Sequence, residues 1–428
     1  EIEYYLEDSE AKVFFVWKDF YKDGLEAFNN SESCRHLVTV SVPGDDERPT
    51  EGEAFMPLIE SAEAEFDMVE TMPDDTAVIL YTSGTTGHPK GAELTHFNMF
   101  FNAYMSGEKV IMIQKDDVGL AVLPLFHSFG QTCVMNVMVL TGGTVTMAPK
   151  WDAEHVIEVI ARDKVTVIAM VPTMYFHLLN YEGDKKIDLS SIRMATSGGA
   201  ALPVEVLKAF EKKFDVRILE GYGLSETSPV ASFNVIERPS KPGSIGVPIW
   251  GCEMRIMRED GTFAEIDEVG EIVIRGHNIM KGYYDKPVAT SEAIVDGWFH
   301  TGDLATMDAE GYFFIVDRKK DMIIRSGMNI YPREIEEVLY GHPAVIEACV
   351  IGVPDEIRGE EVKAFVALRN GDLLKIEELD QYCQARLAKY KCPKQFEILD
   401  SLPKGPTGKI LKKELRQAEL ERLSGNAV

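Results

Sequence analysis

Segments with the pattern of buried strands alternate with segments of helical periodicity along the middle of this chain. The apolar runs Val118–Leu123, Val165–Met170 and Val216–Glu220 predict strands. The stretches Ala153–Arg162 and Pro203–Phe214 predict amphipathic helices between such strands. Strands that are separated by helices pair in parallel, and a parallel sheet needs helices on both faces. The sequence therefore predicts an α/β fold with ligand sites at loops beyond the carboxyl ends of the strands.

The pattern of hydrophobic residues and glycines along the sequence changes near Ser240 and again near Asp317. Short strands punctuated by glycine follow the first change, and they predict a small antiparallel, barrel-like sheet over about 240–317. The residues after the second change have their own pattern of strands and helices. We therefore predict a large domain at residues 1–317 and a small α+β domain at residues 318–428.

The length and composition limit what kind of protein this is. A chain of 428 residues is long enough for two domains. Its net charge of −26 argues against a nucleic-acid partner and against adsorption to anionic lipid. The six cysteines show no CxxC pair and no zinc spacing, which predicts reduced thiols in the cytoplasm. No run approaches the roughly 18 apolar residues of a membrane span, so we expect any contact with the inner membrane face to be peripheral.

A loop rich in hydroxyl groups and glycine, residues 82–90, follows the strand-like run Ala77–Tyr81. A helix-like stretch begins near Thr95, so we expect the loop to connect a strand to a helix. Glycines let backbone amides approach an anion, hydroxyl groups add donors, and Lys90 adds a positive charge. This composition predicts a polyphosphate site. It is not a Walker A loop, because Gly91 follows the lysine where that motif needs Ser or Thr.

Further motifs follow in order along the chain, and each is weak alone because glycine turns are common. They are Ser197–Ala201, Glu220–Thr227, Gly297–Asp303, Asp317–Arg318 and Pro403–Ile410. Together with the 82–90 loop they closely resemble the adenylate-forming superfamily of acyl-CoA synthetases, firefly luciferase and peptide-synthetase adenylation domains. Within this superfamily, Pro124–Gly130 and Gly223–Val230 are most similar to bacterial long-chain fatty-acid–CoA ligases.

The resemblance implies an ATP-dependent ligase that converts a carboxylic acid to an acyl-adenylate and then to an acyl-CoA. The implied substrates are a medium- or long-chain fatty acid, ATP with Mg²⁺, and CoA. The loop that would hold the β- and γ-phosphates contains Thr82, Ser83, Gly84, Thr85, Thr86, Gly87 and Lys90. Ser225 would face the α-phosphate. Glu226 would bind the magnesium ion, since a hard carboxylate suits a hard cation.

The resemblance also assigns residues to the nucleoside and to the reacting carboxylate. Asp303 would accept the ribose hydroxyls, and Arg318 would add a second contact. The adenine pocket would be formed by Gly198, Gly199, Ala200, Glu220, Gly221, Tyr222 and Gly223, with the tyrosine stacked on the base. Lys409 would reach the carboxylate and the α-phosphate during adenylation only. Lys320 would be the hinge about which the small domain turns before the thioester step, and His127 would close over the acyl-adenylate.

The acyl chain needs an apolar tunnel. The resemblance places its walls at Gln131, Val171, Thr173, Met174, Gly199, Tyr222, Gly223 and Val230. These residues do not reveal the length of the acyl chain, so an aryl or coumarate-type acid remains an alternative substrate.

The start of the chain leaves a second alternative open. Glu1–Val16 resembles an internal segment of the large domain, and family members usually carry roughly 80 to 100 residues before it, the size of a small domain. A sheet uncovered in this way would expose apolar surface, which a homodimer would cover. The shortened chain could accordingly be a non-catalytic protein that binds nucleotide or acyl groups.

Overall fold

The chain divides into two compact units. The first contains Glu1–Asp75 with Tyr81–Gly91, and the second contains Thr76–Leu80 with Ala92–Val428. The computed structural model describes residues 1–42, 44–45, 49–82, 89–184, 187–369, 374–405 and 408–425.

Helices occur throughout both units. The α-helices are α1 Ile2–Asp8, α2 Tyr21–Asn30, α3 Phe55–Ser61, α4 His96–Tyr104, α5 Ser128–Gly130, α6 Val137–Thr141, α7 Ala153–Asp163, α8 Pro172–Leu179, α9 Val204–Phe214, α10 Pro287–Ala293, α11 Pro332–Tyr340, α12 Ile376–Gln384 and α13 Lys412–Gly425. Tighter 3₁₀ turns lie at Lys18–Phe20 and Ser225–Thr227, and wider π-helical turns lie at Met105–Ile111 and Gln131–Asn136. Among the described residues, no helix has the length and apolarity that crossing a bilayer demands.

The strands belong to several sheets. They are β1 Val13–Trp17, β2 His36–Val40, β3 Glu53–Ala54, β4 Thr76–Thr82, β5 Lys90–Thr95, β6 Val118–Ala121, β7 Thr144–Met147, β8 Val167–Met170, β9 Met194–Ser197, β10 Ile218–Gly223, β11 Val230–Phe233, β12 Val247–Pro248, β13 Cys252–Met257, β14 Gly270–Gly276, β15 Gly282–Tyr283, β16 Ile294–Val295, β17 Trp298–Met307, β18 Phe313–Arg318, β19 Ile323–Arg325, β20 Met328–Ile330, β21 Val345–Asp355, β22 Gly359–Leu368 and β23 Gln395–Leu399.

The first unit is built on a small parallel sheet in the order β1–β2–β3. Leu6, Ala27 and Cys34 form a buried apolar cluster together with residues of α1 and α2. On β1 the alternate residues Val13, Phe15 and Trp17 remain exposed, and Phe15 retains 56% of its surface. Among the described residues β1 pairs with β2 alone, so it is an edge strand of this sheet.

The predicted parallel sheet forms the centre of the second unit. Its strands lie in the order β12–β11–β10–β9–β8–β6–β7, and the strands from β7 to β10 are parallel. Strands β8 and β9 are buried at every residue, as expected for strands covered on both faces. Two large hydrophobic clusters pack in this part of the unit, one including Ile168, Tyr175 and Phe210. The predicted α/β class is confirmed.

A strongly bent antiparallel sheet follows in the order β13–β14–β17–β16, with β18 paired to β17. Its register sets Asp303 directly opposite Arg318. The C-terminal region, by which we mean the residues after Arg318, has its own sheet in the order β20–β19–β22–β21, with β23 beside β22. Helices α11 and α12 pack on a hydrophobic cluster that includes Ile335 and Leu379. These two parts match the barrel-like sheet and the α+β region that the sequence predicts.

The polyphosphate loop does not connect a strand to a helix, so that prediction is wrong. Residues after the loop first form β5, and this strand lies in the sheet order β15–β5–β4. Helix α4 begins only after β5, with Thr95 as its N-cap: the Thr95 side chain accepts a hydrogen bond from Asn98 N. The strand forms because Ala92 and Leu94 are fully buried against a hydrophobic cluster, and because Glu93 pairs with Gly282.

Candidate active site

Two of the predicted site loops leave the carboxyl ends of neighbouring parallel strands. The loop at Ser197–Ala201 follows β9, and the loop at Leu224–Thr227 follows β10, which pairs with β9. Gly221 and Gly223 lie at the end of β10, where a Cβ would overlap the Phe233 ring and the Pro229 carbonyl, respectively. These two glycines are therefore required by close packing against β11, in addition to any contact with a base.

A carboxylate, a guanidinium and a phenol meet beside these loops. The Tyr222 hydroxyl donates a hydrogen bond to Asp303 Oδ2 at 2.6 Å. Arg318 Nε lies 3.2 Å from Asp303 Oδ1. Burial and the neighbouring Asp303 raise the pKa of Tyr222 well above its ordinary value, so the phenol remains a donor. Asp303 is only 5% exposed and is held from two sides, which fixes its orientation toward a ligand.

Lys409 enters the same cluster from the C-terminal region. Desolvation by the surrounding protein and the cations Arg318 and Lys320 together lower its pKa to about 8, against the opposing effect of Asp303. Water still reaches its side chain, which is exposed. Residue Gly408 precedes this lysine, and its carbonyl oxygen accepts a hydrogen bond from Thr173 Oγ1 at 3.4 Å. The charge of Lys409 thus interacts with those of Asp303 and Arg318, although these residues are far apart in sequence.

The positive charge of Lys409 affects the pKa of His127. Burial and the Lys409 ammonium lower the pKa of His127, so the imidazole is neutral near pH 7. Its Nδ1 accepts a hydrogen bond from Phe129 N at 3.3 Å and caps the short helix α5. The role of this ring in closing over the acyl-adenylate stays a prediction.

Ser225 and Glu226 occupy the 3₁₀ turn after β10. Ser225 Oγ and Ser128 Oγ lie 3.5 Å apart. Glu226 is buried, with 8% of its surface exposed, and its Oε1 accepts a hydrogen bond from the Tyr283 hydroxyl at 2.9 Å. Burial and this carboxylate raise the pKa of Tyr283. Glu226 is therefore a fixed carboxylate and not a solvated loop residue.

Comparison with known proteins decides the family. The pattern described as AMP-binding enzyme matches residues 1–284, and the pattern described as AMP-binding enzyme C-terminal domain matches residues 334–409. The chain belongs to the AMP-binding enzyme family. The resemblance to adenylate-forming enzymes is thereby confirmed.

Similar proteins within the AMP-binding enzyme family differ in their acids. A long-chain-fatty-acid–CoA ligase of Bacillus subtilis (strain 168) is 46% identical over 349 residues, which cover 81% of this chain and 62% of the relative. A feruloyl-CoA synthase of Amycolatopsis sp is 41% identical over 348 residues, covering 80% of this chain and 70% of the relative. The ATP-bound crystal structure of MatB from Rhodopseudomonas palustris superimposes with a TM-score of 0.89 at 31% identity, covering 98% of this chain and 81% of MatB. This chain thus spans about three-fifths to four-fifths of these relatives.

Only part of the predicted phosphate-binding loop of this AMP-binding enzyme, residues 82–90, lies within the described residues. Ser83, Gly84, Thr85, Thr86 and Gly87 lie outside the described residues. Thr82 ends β4 and Lys90 begins β5, and Thr82 Oγ1 donates to the Lys90 carbonyl oxygen at 3.4 Å. Both residues belong to the first compact unit. The assignment of this loop to the phosphates stays a prediction.

Glu220 has a different environment from the one expected for a residue at the adenine pocket. It is buried, at 6% exposure, and its Oε1 accepts a hydrogen bond from Leu202 N at 3.3 Å. Burial raises the pKa of Glu220 to about 7, against the opposing effect of Arg333 in the C-terminal region. Its side chain is therefore held by the Leu202 amide, while Gly198, Gly199 and Ala200 stay predicted adenine contacts.

Several of the residues that were predicted to line the acyl tunnel are buried in hydrophobic clusters. Val171 and Met174 belong to one buried hydrophobic cluster, and Val230 belongs to another. A Cβ at Gly199 would lie 3.6 Å from Val171 Cγ1, in ordinary van der Waals contact, so it is the positive φ of 78° that favours glycine there. Thr173 instead contacts the loop that carries Lys409. The position of the acyl tunnel stays a prediction.

Sequence reasoning missed Tyr283 and the positioning role of Tyr222. Nothing in the local sequence around Tyr283 marks it, because its contact with Glu226 depends on β15 pairing with β5. Tyr222 was assigned to the base for its ring, whereas the structure shows that its hydroxyl orients Asp303. Tyr222 and Asp303 are far apart in the chain, and a single sequence contains no signal that joins such a pair.

Proposed function

We propose that this chain is an AMP-forming acid–thiol ligase that acts on a medium- or long-chain fatty acid, with ATP and CoA as co-substrates. The proposal rests mainly on one cluster of residues. Tyr222 and Arg318 hold the Asp303 carboxylate, and the charge of Lys409 interacts with those of Asp303 and Arg318. The fatty-acid assignment is supported by the 46% identity to the Bacillus subtilis ligase.

In the first step a carboxylate oxygen of the acid attacks the α-phosphorus of ATP, and pyrophosphate leaves. Negative charge grows on the phosphoryl oxygens, so positioned cations and donors lower the barrier. Lys409 is the cation that we assign to the carboxylate and the α-phosphate. Asp303, held by Tyr222 and Arg318, would fix the ribose by accepting its hydroxyls.

Mg²⁺ fits this site as a companion of ATP. Among the described residues, no group of three or more His, Cys, Asp or Glu side chains forms a cation site. A single buried carboxylate is nevertheless sufficient where phosphates and water supply the other ligands, and Glu226 is such a residue. When bound, Mg²⁺ would neutralise phosphate charge, and Glu226 with Tyr283 would orient it from the protein side.

In the second step the thiolate of CoA attacks the acyl carbon of the adenylate. The bond between that carbon and the bridging oxygen breaks, and AMP leaves with this oxygen. Lys409 has no part in this step in our scheme, and it must withdraw because its loop contacts Thr173 beside the acyl position. A rotation of the C-terminal region about Lys320 would remove it.

An aryl acid is the second candidate substrate, and the 41% identity to a feruloyl-CoA synthase over most of that relative favours it. Fatty acids of increasing length, ferulate, coumarate and benzoate should be compared by kcat/KM with ATP, Mg²⁺ and CoA. We expect the highest value for a medium- or long-chain fatty acid. A higher value for an aryl acid would reject the fatty-acid assignment and keep the ligase. ATP binding without AMP formation from any acid would indicate the non-catalytic alternative.

The rate of adenylation should depend on the protonation of Lys409. The pKa of this lysine is lowered to about 8, so its cation is present below that pH and is lost above it. We expect kcat/KM for acyl-adenylate formation to fall above about pH 8, approaching a tenfold loss per pH unit. In Lys409→Arg this decline should be absent, because a guanidinium keeps its charge. The same decline in both proteins would show that another group controls it.

A further inference from the structure

Helix α11 of the C-terminal region is fixed to the sheet that carries Asp303. Its first-turn residue Arg333 donates from Nη1 to the Ile315 carbonyl oxygen at 2.8 Å. The Arg333 backbone N donates to Asp317 Oδ2 at 2.8 Å. Ile315 and Asp317 belong to β18, the strand that ends at Arg318. One arginine therefore ties α11 to the strand that contributes to the nucleotide site.

The charge of the Arg333 guanidinium also acts on two carboxylates. Glu337 is one helical turn away, with its Oε1 3.9 Å from Arg333 Nε. Glu220, on β10, is buried and accepts a hydrogen bond from Leu202 N, and the Arg333 charge opposes the effect of this burial on its pKa. Burial raises the pKa of both carboxyl groups, and Arg333 is the largest opposing influence on each. Removal of this cation should therefore raise both pKa values further.

The two carboxylates also meet the start of helix α9. This helix follows Pro203, which supplies no capping side chain. The amide of Leu202 donates to Glu220, and the amide of Val204 lowers the pKa of Glu337. Free amides at a helix start favour a negative charge. Glu337 of the C-terminal region thus adds a second carboxylate to that of Glu205, which lies in the first turn of α9.

We propose that Arg333, Glu337 and Glu220 form an interlock that holds the C-terminal region where Lys409 meets Asp303. This inference rests on the proposed function, and it assigns the three residues as positioning residues for adenylation. Rotation of the C-terminal region would separate Arg333 and Glu337 from Glu220 and from α9. The interlock would accordingly favour the first half-reaction and be broken before the second.

Separate measurements of adenylation and of thioester formation test the interlock in the 428-residue chain. Arg333→Met and Glu337→Gln should each lower acid-dependent pyrophosphate exchange by about tenfold, within the usual range of coupling between two conformations. Thioester formation from supplied acyl-adenylate should stay near the wild-type rate. Glu334→Gln is the matched control, because this glutamate of α11 pairs with Lys391 inside the C-terminal region. Equal loss of both half-reactions, or the same loss in the control, would overturn the interlock.

A structural readout separates failure of the interlock from failure of the proposed function. His177 lies on α8 and Lys404 belongs to the C-terminal region, and after burial the Lys404 ammonium is the main cause that lowers the pKa of His177. Cysteines introduced at these two positions should be joined by a short bis-maleimide. We expect a lower yield of this cross-link with Arg333→Met and an unchanged yield with Glu334→Gln. An unchanged yield in both would overturn the interlock, even if the wild-type chain has no ligase activity.

Discussion

Replacing Lys409 by alanine is expected to lower acyl-adenylate formation by about 10²- to 10³-fold, the usual cost of removing one preorganised charge stabiliser. Lys409 belongs to the C-terminal region, and its positive charge interacts with the charges of Asp303 and Arg318. Thioester formation from supplied acyl-adenylate should remain close to the wild-type rate, because we assign Lys409 no role there. Pyrophosphate exchange and CoA thioester formation, measured separately, check both statements.

Loss of stability can be distinguished from loss of chemistry in this variant. Protein surroundings disfavour the Lys409 cation, as its lowered pKa shows, so its removal should not lower Tm. Lys413→Ala is a suitable control, because this lysine is exposed on α13 shortly after the site. A parallel fall of both half-reactions in Lys409→Ala would contradict the assignment, as would a similar effect of the control.

Replacing Asp303 by asparagine is expected to raise the KM for ATP and lower kcat/KM by about 30- to 100-fold. One hydrogen bond to a charged group contributes about 1.5–3 kcal/mol, and the amide keeps only one acceptor oxygen. The substitution also leaves the Arg318 guanidinium without its carboxylate. The effect should appear mainly in ATP kinetics, with less change in the KM for the acid.

Tyr222→Phe should have a smaller effect of the same kind, about 3- to 10-fold, since it removes one neutral donor that orients Asp303. Asp308→Asn makes the same exchange as the main variant in the turn between β17 and β18, where Asp308 pairs with Lys241. Its ATP kinetics should match the wild type. If Tyr222→Phe exceeded Asp303→Asn, or if Asp308→Asn matched it, Asp303 would not be the ribose contact.

The sequence predicts which candidate loops lie together, because the carboxyl ends of parallel strands lie at one edge of the sheet. Ser197–Ala201 and Glu220–Thr227 could be assigned to neighbouring strand ends from their apolar runs alone, and β9 and β10 indeed pair. The link between Asp303 and Arg318 came from family resemblance. Only the register of β17 and β18 gives its physical reason, since it sets the two residues opposite each other.

Contacts between distant elements were beyond the sequence. The strand β5 was missed because Lys90–Thr95 is short and its burial depends on β15, far along the chain. Glu220 was assigned to the adenine pocket from its motif, whereas Leu202 and Arg333 determine its surroundings. A local pattern of hydrophobicity and glycine contains no information about such partners, which are fixed by tertiary packing.

The most direct test of the proposed reaction follows one oxygen atom. Palmitate labelled with ¹⁸O in its carboxylate should be incubated with the chain, ATP, Mg²⁺ and CoA, and the nucleotide product analysed by mass spectrometry. If the carboxylate attacks the α-phosphorus, AMP should carry one ¹⁸O and pyrophosphate should carry none. Formation of ADP with ¹⁸O in inorganic phosphate, or of AMP without label, would contradict the proposal that this chain forms an acyl-adenylate.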